Sequence, residues 1–171
     1  MVATEQKALL TVDDLRVYFP TEEGLVKAVD GVSFEILPGK TLGIVGESGC
    51  GKSTLGRAIL QILDKGGVIE SGEIIWRQES INGGTTELDV AKQSSNSRLM
   101  RRIRGEDIAL IFQEPMTSFS PVHTMGNQLE EAILLHQDIS RKEARGRATE
   151  LFENVGIPNP AQRLDEYSFQ L

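Results

Sequence analysis

Alternating apolar and polar positions predict two strands near the start of the chain. Residues 9–19 (LLTVDDLRVYF) and residues 32–37 (VSFEIL) both follow a period close to two. Between them, residues 20–27 contain a proline, a glycine and two acidic residues, a composition typical of a turn. The pattern therefore predicts strands of a partly exposed antiparallel sheet.

Two apolar runs without alternation predict strands of a different kind. Residues 41–45 read TLGIV and residues 108–112 read IALIF. Such runs are typical of strands that are covered on both faces in a parallel sheet. We therefore expect an α/β core in which these two strands are neighbours.

The residues between these two runs contain further elements. Residues 53–63 place apolar side chains at helical spacing, and Gly66 and Gly67 end the run, so a helix is expected there. Residues 73–76 (EIIW) predict a strand, and residues 77–97, which are mostly polar, predict a long loop. Residues 98–104 (RLMRRIR) predict a short basic amphipathic segment.

The last third of the chain is predicted to be helical. Thr124 is placed to cap a helix that ends near His136, and Ser140 with Glu143 forms the pattern of a capping box for another helix. We therefore predict two domains. Residues 1–115 form the α/β core with its N-terminal sheet, and residues 116–171 form a helical subdomain, both of them incomplete.

One motif carries the candidate chemistry. Residues 46–54 read GESGCGKST and match GxxxxGK[ST], with an apolar run before them and a predicted helix after them. Glycines let successive backbone N–H groups turn toward phosphate oxygens, while a lysine adds a full positive charge. A glycine-rich turn that contains Lys and Ser by chance is the alternative, and the order of the flanking elements disfavours it. The residues assigned to nucleotide phosphates are Gly46, Glu47, Ser48, Gly49, Cys50, Gly51, Lys52, Ser53 and Thr54. We call residues 46–54 the phosphate loop.

Composition narrows the class of protein. The 171 residues contain 18 Lys and Arg against 25 Asp and Glu, and this net charge of -7 argues against a nucleic-acid partner. Cys50 is the single cysteine, so no disulfide forms within the chain. Since no apolar run approaches the length of a membrane helix, we expect any membrane association to go through a partner.

Longer segments of the sequence resemble a known family. The phosphate loop within residues 28–60, an aromatic pair at Tyr18 and Phe19, and IFQEPMTSFSPVHTMGNQL over residues 111–129 together resemble the ATP-binding subunit of ABC transporters. Within that family the similarity is to the oligopeptide and dipeptide importer branch. The resemblance implies a P-loop NTPase (RecA-like) core with an antiparallel β subdomain and the start of an α-helical subdomain. It also implies ATP and Mg²⁺ as cofactors.

The resemblance also implies roles for individual residues. Lys52 and Gln113 are the expected catalytic residues, and Ser53 and Gln113 are the expected Mg²⁺ ligands, with Gln113 also holding the attacking water. Phe19 is expected to stack on adenine. Tyr18 is the alternative, because neighbouring residues of a strand point to opposite faces.

The family's way of working supplies the remaining expectations. Two such subunits, identical or different, sandwich ATP, sit at the cytoplasmic face of the membrane and drive permease subunits that import peptides or a related solute. An extracytoplasmic solute-binding protein takes part indirectly. No segment reads as an apolar strand followed by Asp-Glu, so we expect the chain to be an N-terminal portion without significant hydrolysis of its own. The alternatives are a nucleotide-binding fragment without turnover and a soluble ABC-type ATPase unconnected with transport.

Overall fold

The computed structural model of the protein describes residues 7–79, 84–112 and 118–171. Contacts divide the chain into two compact units, Met1–Arg104 and Gly105–Leu171. The first unit contains the sheet, and the second is helical. In chain order the elements are β1 (Leu10–Thr21), β2 (Gly24–Ile36), α1 (Lys52–Ile59), β3 (Val68–Glu79), β4 (Thr85–Asp89), α2 (Arg98–Glu106), α3 (Met125–His136), α4 (Arg141–Asn154) and α5 (Pro160–Arg163).

The sheet has the order β2-β1-β3-β4, and every neighbouring pair is antiparallel. β1 is an inner strand paired with β2 and β3, and it buries Val12, Leu15 and Val17, with the alternation shifted by one residue where the pairing is irregular after Val12. The predicted first strand and the predicted antiparallel sheet are confirmed. The predicted turn over residues 20–27 is too long, since pairing continues to Thr21 opposite Gly24 and the turn between the strands is correspondingly short.

The predicted loop over residues 77–97 is wrong for much of its length. β3 continues to Glu79, and β4 pairs with it along the sheet edge. Arg77 lies opposite Glu87 in this pairing, and its Nε donates to a carboxylate oxygen of Glu87 at 2.9 Å. An edge strand exposed to water needs few apolar residues, so hydrophobic patterning did not reveal it.

Helix α1 confirms the predicted helix, although it is shorter than expected. Helix α2 confirms the amphipathic segment and buries Met100 and Ile103. The guanidinium of Arg104 donates to the carbonyl oxygens of Leu60 at 2.8 Å and Gln61 at 3.2 Å, just beyond the end of α1. Partial burial lowers the pKa of Arg104 from its ordinary value, yet a cation here satisfies carbonyls that the helix leaves unpaired.

The two predicted buried strands are not formed in the described part of the chain. Residues 41–45 and 108–112 belong to no strand, and several of their apolar side chains are exposed, with Val45 96% and Ile111 90% exposed. A strand of a parallel sheet exists only where neighbours supply both its hydrogen bonds and its covering layers. The four strands of the described sheet pair among themselves, so neither run finds such a neighbour in it.

The helical unit confirms the predictions made for the last third of the chain. The hydroxyl of Thr124 accepts a hydrogen bond from the Asn127 N–H, and Ser140 and Glu143 form the predicted capping box. A core built on Met125, Ala148, Phe152 and Leu164 holds these helices together.

A buried carboxylate adds polar links between α3 and α4. Glu130 is only 4% exposed and pairs with Arg141 at 3.0 Å and with Arg145 at 3.1 Å. Arg145 also bonds Asp165 beyond α5 at 2.7 Å. Since a buried charge is stable only when it is paired, these arginines keep Glu130 compatible with the interior of the unit.

Candidate functional site

The phosphate loop curls back on itself at the start of α1. Gly51 is the N-cap of this helix with a φ of 95°, and Gly49 has a φ of 81°. The side chain of Cys50 lies over Gly46, where a β-carbon would stand 2.6 Å from Sγ. The left-handed backbone at Gly49 and Gly51 therefore favours glycine, and the two ends of the loop lie close together at Gly46 and Cys50.

Helix α1 begins without a side-chain cap. Gly51 offers no capping oxygen, so the first N–H groups of the helix receive no hydrogen bond from an N-cap side chain. The positive end of the helix dipole lies at the same place. This arrangement fits an anion, because unpaired donors and a positive potential favour the same negatively charged oxygens.

Lys52 is held across the loop. Its Nζ donates to the carbonyl oxygens of Gly46 at 2.8 Å and Glu47 at 2.6 Å. An ammonium group has three donors, and the third hydrogen faces no stronger partner than Cys50 Sγ at 3.6 Å. Lys52 is therefore positioned by the loop itself, and within the described residues its third donor has no partner stronger than the thiol of Cys50.

The loop lies against the hairpin formed by β1 and β2. A β-carbon at Gly51 would stand 2.1 Å from the carbonyl oxygen of Ala28 in β2. Two residues before Ala28, Val26 is the β1 partner of Phe19. Successive residues of a strand rise by about 3.3 Å. Val26, the partner of Phe19, therefore lies within about 7 Å of Ala28 along β2.

The two candidate aromatic residues have different surroundings. Tyr18 is 7% exposed, and its hydroxyl donates to Asp30 at 2.7 Å. The Nζ of Lys27 lies 5.3 Å from the centre of the Tyr18 ring. Phe19 is partly exposed and has no polar group to satisfy. Phe19 is therefore the freer of the two rings for contact with a base.

The hydroxyl of Tyr18 also acts on the charge of Asp30. Its hydrogen bond, followed by the ammonium of Lys27 and the guanidinium of Arg16, lowers the pKa of the Asp30 carboxyl from its ordinary value. The same carboxylate raises the pKa of Lys27. The Tyr18 hydroxyl is thus already hydrogen-bonded within this polar cluster on the hairpin.

The expected metal ligands are only partly covered by the structure. Ser53 is exposed in the first turn of α1, directly after Lys52. Gln113 lies outside the described residues. Within residues 7–79, 84–112 and 118–171, no group of three or more His, Cys, Asp or Glu side chains is arranged to hold a metal ion. Of the two expected metal ligands, the structure therefore describes only Ser53.

Two contacts at this site carry no signal in the sequence pattern. Ala28 belongs to a strand and has a small apolar side chain, yet its backbone oxygen touches the loop. Gly67 was expected only to end a helix, yet it lies against the Phe19 ring. Both contacts join residues that are distant in sequence, so motif spacing could not reveal them.

The chain is similar in sequence to proteins of one family. A family model described as ABC transporter matches residues 29–171. A probable peptide ABC transporter ATP-binding protein of Sinorhizobium fredii is 43% identical over 164 residues, which are 95% of this chain and 46% of that protein. The dipeptide transport ATP-binding protein DppD of Bacillus subtilis is 41% identical over 163 residues, 95% of this chain and 45% of DppD. The chain thus spans about half the length of the curated relatives it matches.

Solved structures are similar at the level of the fold. The ATP-binding cassette MJ0796, in a dimeric structure bound to ADP and Pi, superposes with a TM-score of 0.72 at 20% sequence identity. The alignment covers 95% of this chain and 62% of that chain. This likeness confirms the predicted fold class.

Within the described residues, no helix has the length and apolar character needed to cross a membrane.

Proposed function

Because the chain belongs to the ABC transporter family, we propose that it binds Mg-ATP through the phosphate loop. The observation that carries this proposal is the position of Lys52, whose Nζ is held by the carbonyl oxygens of Gly46 and Glu47. A lysine fixed in this way donates to an anion without first losing side-chain freedom. The uncapped start of α1 supports the same anion.

Individual residues receive roles on this basis. The loop residues 46–54 surround the phosphates, Lys52 neutralises charge on the outer phosphates, and Phe19 stacks on adenine. Ser53 and Gln113 are the proposed ligands of Mg²⁺, with Gln113 also orienting the attacking water. When bound, Mg²⁺ neutralises phosphate charge and orders the phosphate oxygens.

We propose that the function is import of peptides or a related solute. Relatives over 40% identical carry the names of peptide and dipeptide transport ATP-binding proteins, and these names support that substrate class. The dimeric cassette supports a second ATP-binding subunit as a partner. Membrane permease subunits, a solute-binding protein that acts indirectly, and a position at the cytoplasmic face of the membrane complete this proposal, which involves no nucleic acid.

The proposed division into two domains keeps the residues assigned to the nucleotide in one domain. The contact-based boundary falls between Arg104 and Gly105. We propose a functional boundary between residues 115 and 116, which assigns the Gln113 segment to the nucleotide-binding core. Residues 116–171 then form the helical subdomain.

We also propose that these 171 residues bind ATP without significant hydrolysis. Phosphoryl transfer depends on several groups that position the nucleophile and stabilise charge together. No apolar strand followed by Asp-Glu occurs in the sequence. These residues therefore offer no candidate for the carboxylates that would polarise water.

Calorimetric titration with ATP and Mg²⁺, paired with a phosphate-release assay on the same sample, tests both statements. Binding without phosphate release is the expected result. Release that disappears in Lys52→Ala would contradict the absence of hydrolysis. Failure to bind ATP in a sample that circular dichroism shows to be folded would overturn the assignment of the phosphate loop.

A further inference from the structure

The Phe19 ring rests on the turn between α1 and β3. A β-carbon at Gly67 would lie 2.6 Å from Cε1 and 2.8 Å from Cζ of this ring. Carbon atoms that are not bonded to each other approach to about 3.5–4.0 Å, so even a methyl group at residue 67 would overlap the ring. The Phe19 ring therefore fills the space that a side chain at residue 67 would need.

The backbone conformation does not explain why residue 67 is glycine. Gly66 has a φ of 89°, in the region that favours glycine, whereas Gly67 is not among the residues with positive φ. Any residue could adopt such a backbone at position 67. What glycine contributes there is the missing β-carbon, and the Phe19 ring uses the space it leaves.

The strand register explains why the two residues meet. Tyr18 of β1 is the partner of Val68 of β3. In an antiparallel pair the next step brings together the residue after Tyr18 and the residue before Val68, which are Phe19 and Gly67. The contact thus follows from the pairing of β1 with β3.

The turn is also tied to the helix that begins at the phosphate loop. The Gly67 N–H donates to the Asp64 carbonyl oxygen at 2.9 Å. The Asp64 carboxylate pairs with Arg57 in the last turn of α1. Since Lys52 begins the same helix, one continuous segment holds the candidate phosphate site at one end and supports the aromatic ring at the other.

We propose that Gly67 is a positioning residue that holds the Phe19 ring in the orientation that stacks on the base of a bound nucleotide. The inference rests on the proposed role of Phe19 in base stacking. Gly67 acts only through the ring and touches neither phosphate nor metal. Replacing Gly67 should therefore weaken the part of the binding affinity that comes from the base. The part that comes from the phosphates should stay unchanged.

The experiment compares ATP with inorganic triphosphate as ligands of the full chain, each with Mg²⁺. Dissociation constants are measured calorimetrically for the unchanged protein, Gly67→Ala, Phe19→Ala and the double variant. Gly146→Ala is the matched control, because a β-carbon there meets no atom within 4 Å. The quantity of interest is the ratio of the ATP constant to the triphosphate constant.

We expect Gly67→Ala to raise this ratio about fivefold or more, with triphosphate affinity unchanged, because the displaced ring loses its stacking on the base. In the Phe19→Ala background, Gly67→Ala should have no further effect on the ratio. An unchanged ratio in Gly67→Ala, while Phe19→Ala raises it, would overturn the role of Gly67 alone. An unchanged ratio in Phe19→Ala would remove base stacking by Phe19, and the role of Gly67 with it.

A second pair of variants covers the case in which Gly67→Ala does not fold. Phe19→Leu lacks the outer ring atoms that overlap the added methyl group, so Phe19→Leu with Gly67→Ala should fold as Phe19→Leu does. The thermal unfolding temperatures of Gly67→Ala, Phe19→Leu and the double variant are compared. Recovery of folding in the double variant shows that the glycine serves the ring. Continued loss of folding would show that Gly67 mainly makes room for the Cβ of Leu63, 3.1 Å from the added β-carbon, and would overturn its role in positioning the ring.

Discussion

The carbonyl oxygen of Ala28 lies 2.1 Å from the point where a β-carbon on Gly51 would stand. This contact joins strand β2 to the residue that caps α1, so the sheet supports the phosphate loop directly. The loop therefore depends on the hairpin for its shape as well as on its own glycines.

Replacing Gly51 with alanine should disrupt this contact. The β-carbon would overlap the Ala28 oxygen, and a φ of 95° is unfavourable for any residue with a side chain. The left-handed backbone alone costs roughly 1–2 kcal/mol. We expect lower stability in chemical unfolding and weaker ATP binding. Gly43→Ala is the control, since its β-carbon meets nothing within 4 Å, and equal behaviour of the two variants would refute the contact.

Replacing Lys52 with alanine should weaken binding of ATP and of triphosphate to a similar degree. The Nζ hydrogen-bonds to loop atoms, the last a long contact with Cys50 Sγ, and in the proposed site this group donates to the anion. Hydrogen bonds to charged groups contribute about 1.5–3 kcal/mol, so affinity should fall about 10- to 150-fold. Titration calorimetry measures this loss, and circular dichroism checks the fold. Unchanged affinity would refute the assignment of the phosphate loop.

Replacing Phe19 with alanine should weaken ATP binding more than triphosphate binding. Loss of stacking on one base costs about 1–3 kcal/mol, or about 5- to 150-fold in affinity. The control is Tyr18→Phe, which removes the hydroxyl bound to Asp30 and leaves a ring in place. Equal losses for the two ligands in Phe19→Ala would remove this residue from the base site.

The Asp30 carboxyl should make stability depend on pH in the acid range. Its pKa is lowered in the folded chain, chiefly by the hydrogen bond from Tyr18, so the unfolded chain takes up a proton first as pH falls. The stabilisation is therefore complete above about pH 4 and is lost as pH drops below that value. Unfolding of the parent and Asp30→Asn across this range measures the effect. Parallel pH profiles would contradict it.

The Ser140 hydroxyl should contribute to the stability of the helical unit. It accepts the Glu143 N–H at 3.3 Å and donates to the Glu143 carboxylate at 2.6 Å at the start of α4. Loss of an N-cap of this kind costs about 1 kcal/mol, which is the expected effect of Ser140→Ala in urea unfolding. Ser118→Ala, at an exposed position of the same unit, is the control. A loss as large in that control would show that the cap is not responsible.

Local features of the chain could be predicted because they depend on residues close in sequence. The capping box is set by Ser140 and a residue three positions later, and the helix after the phosphate loop follows from the spacing of its apolar residues. The motif GESGCGKST likewise predicts a phosphate-binding loop, because its chemistry lies within nine consecutive residues. Helices and tight loops close their hydrogen bonds over short separations, so the nearby sequence carries most of the information.

Tertiary structure decided the features that need partners far away in the chain. Residues 41–45 and 108–112 have the pattern of buried strands, yet a strand forms only where another strand meets its backbone, and the described sheet pairs elsewhere. The contacts of Gly51 with Ala28 and of Gly67 with Phe19 arise in the same way, from how helix α1 and the strands pack. The sequence alone determined which groups are proposed to hold phosphate. Tertiary pairing determined what supports them, because backbone contacts between distant segments leave no periodic trace in the residues that make them.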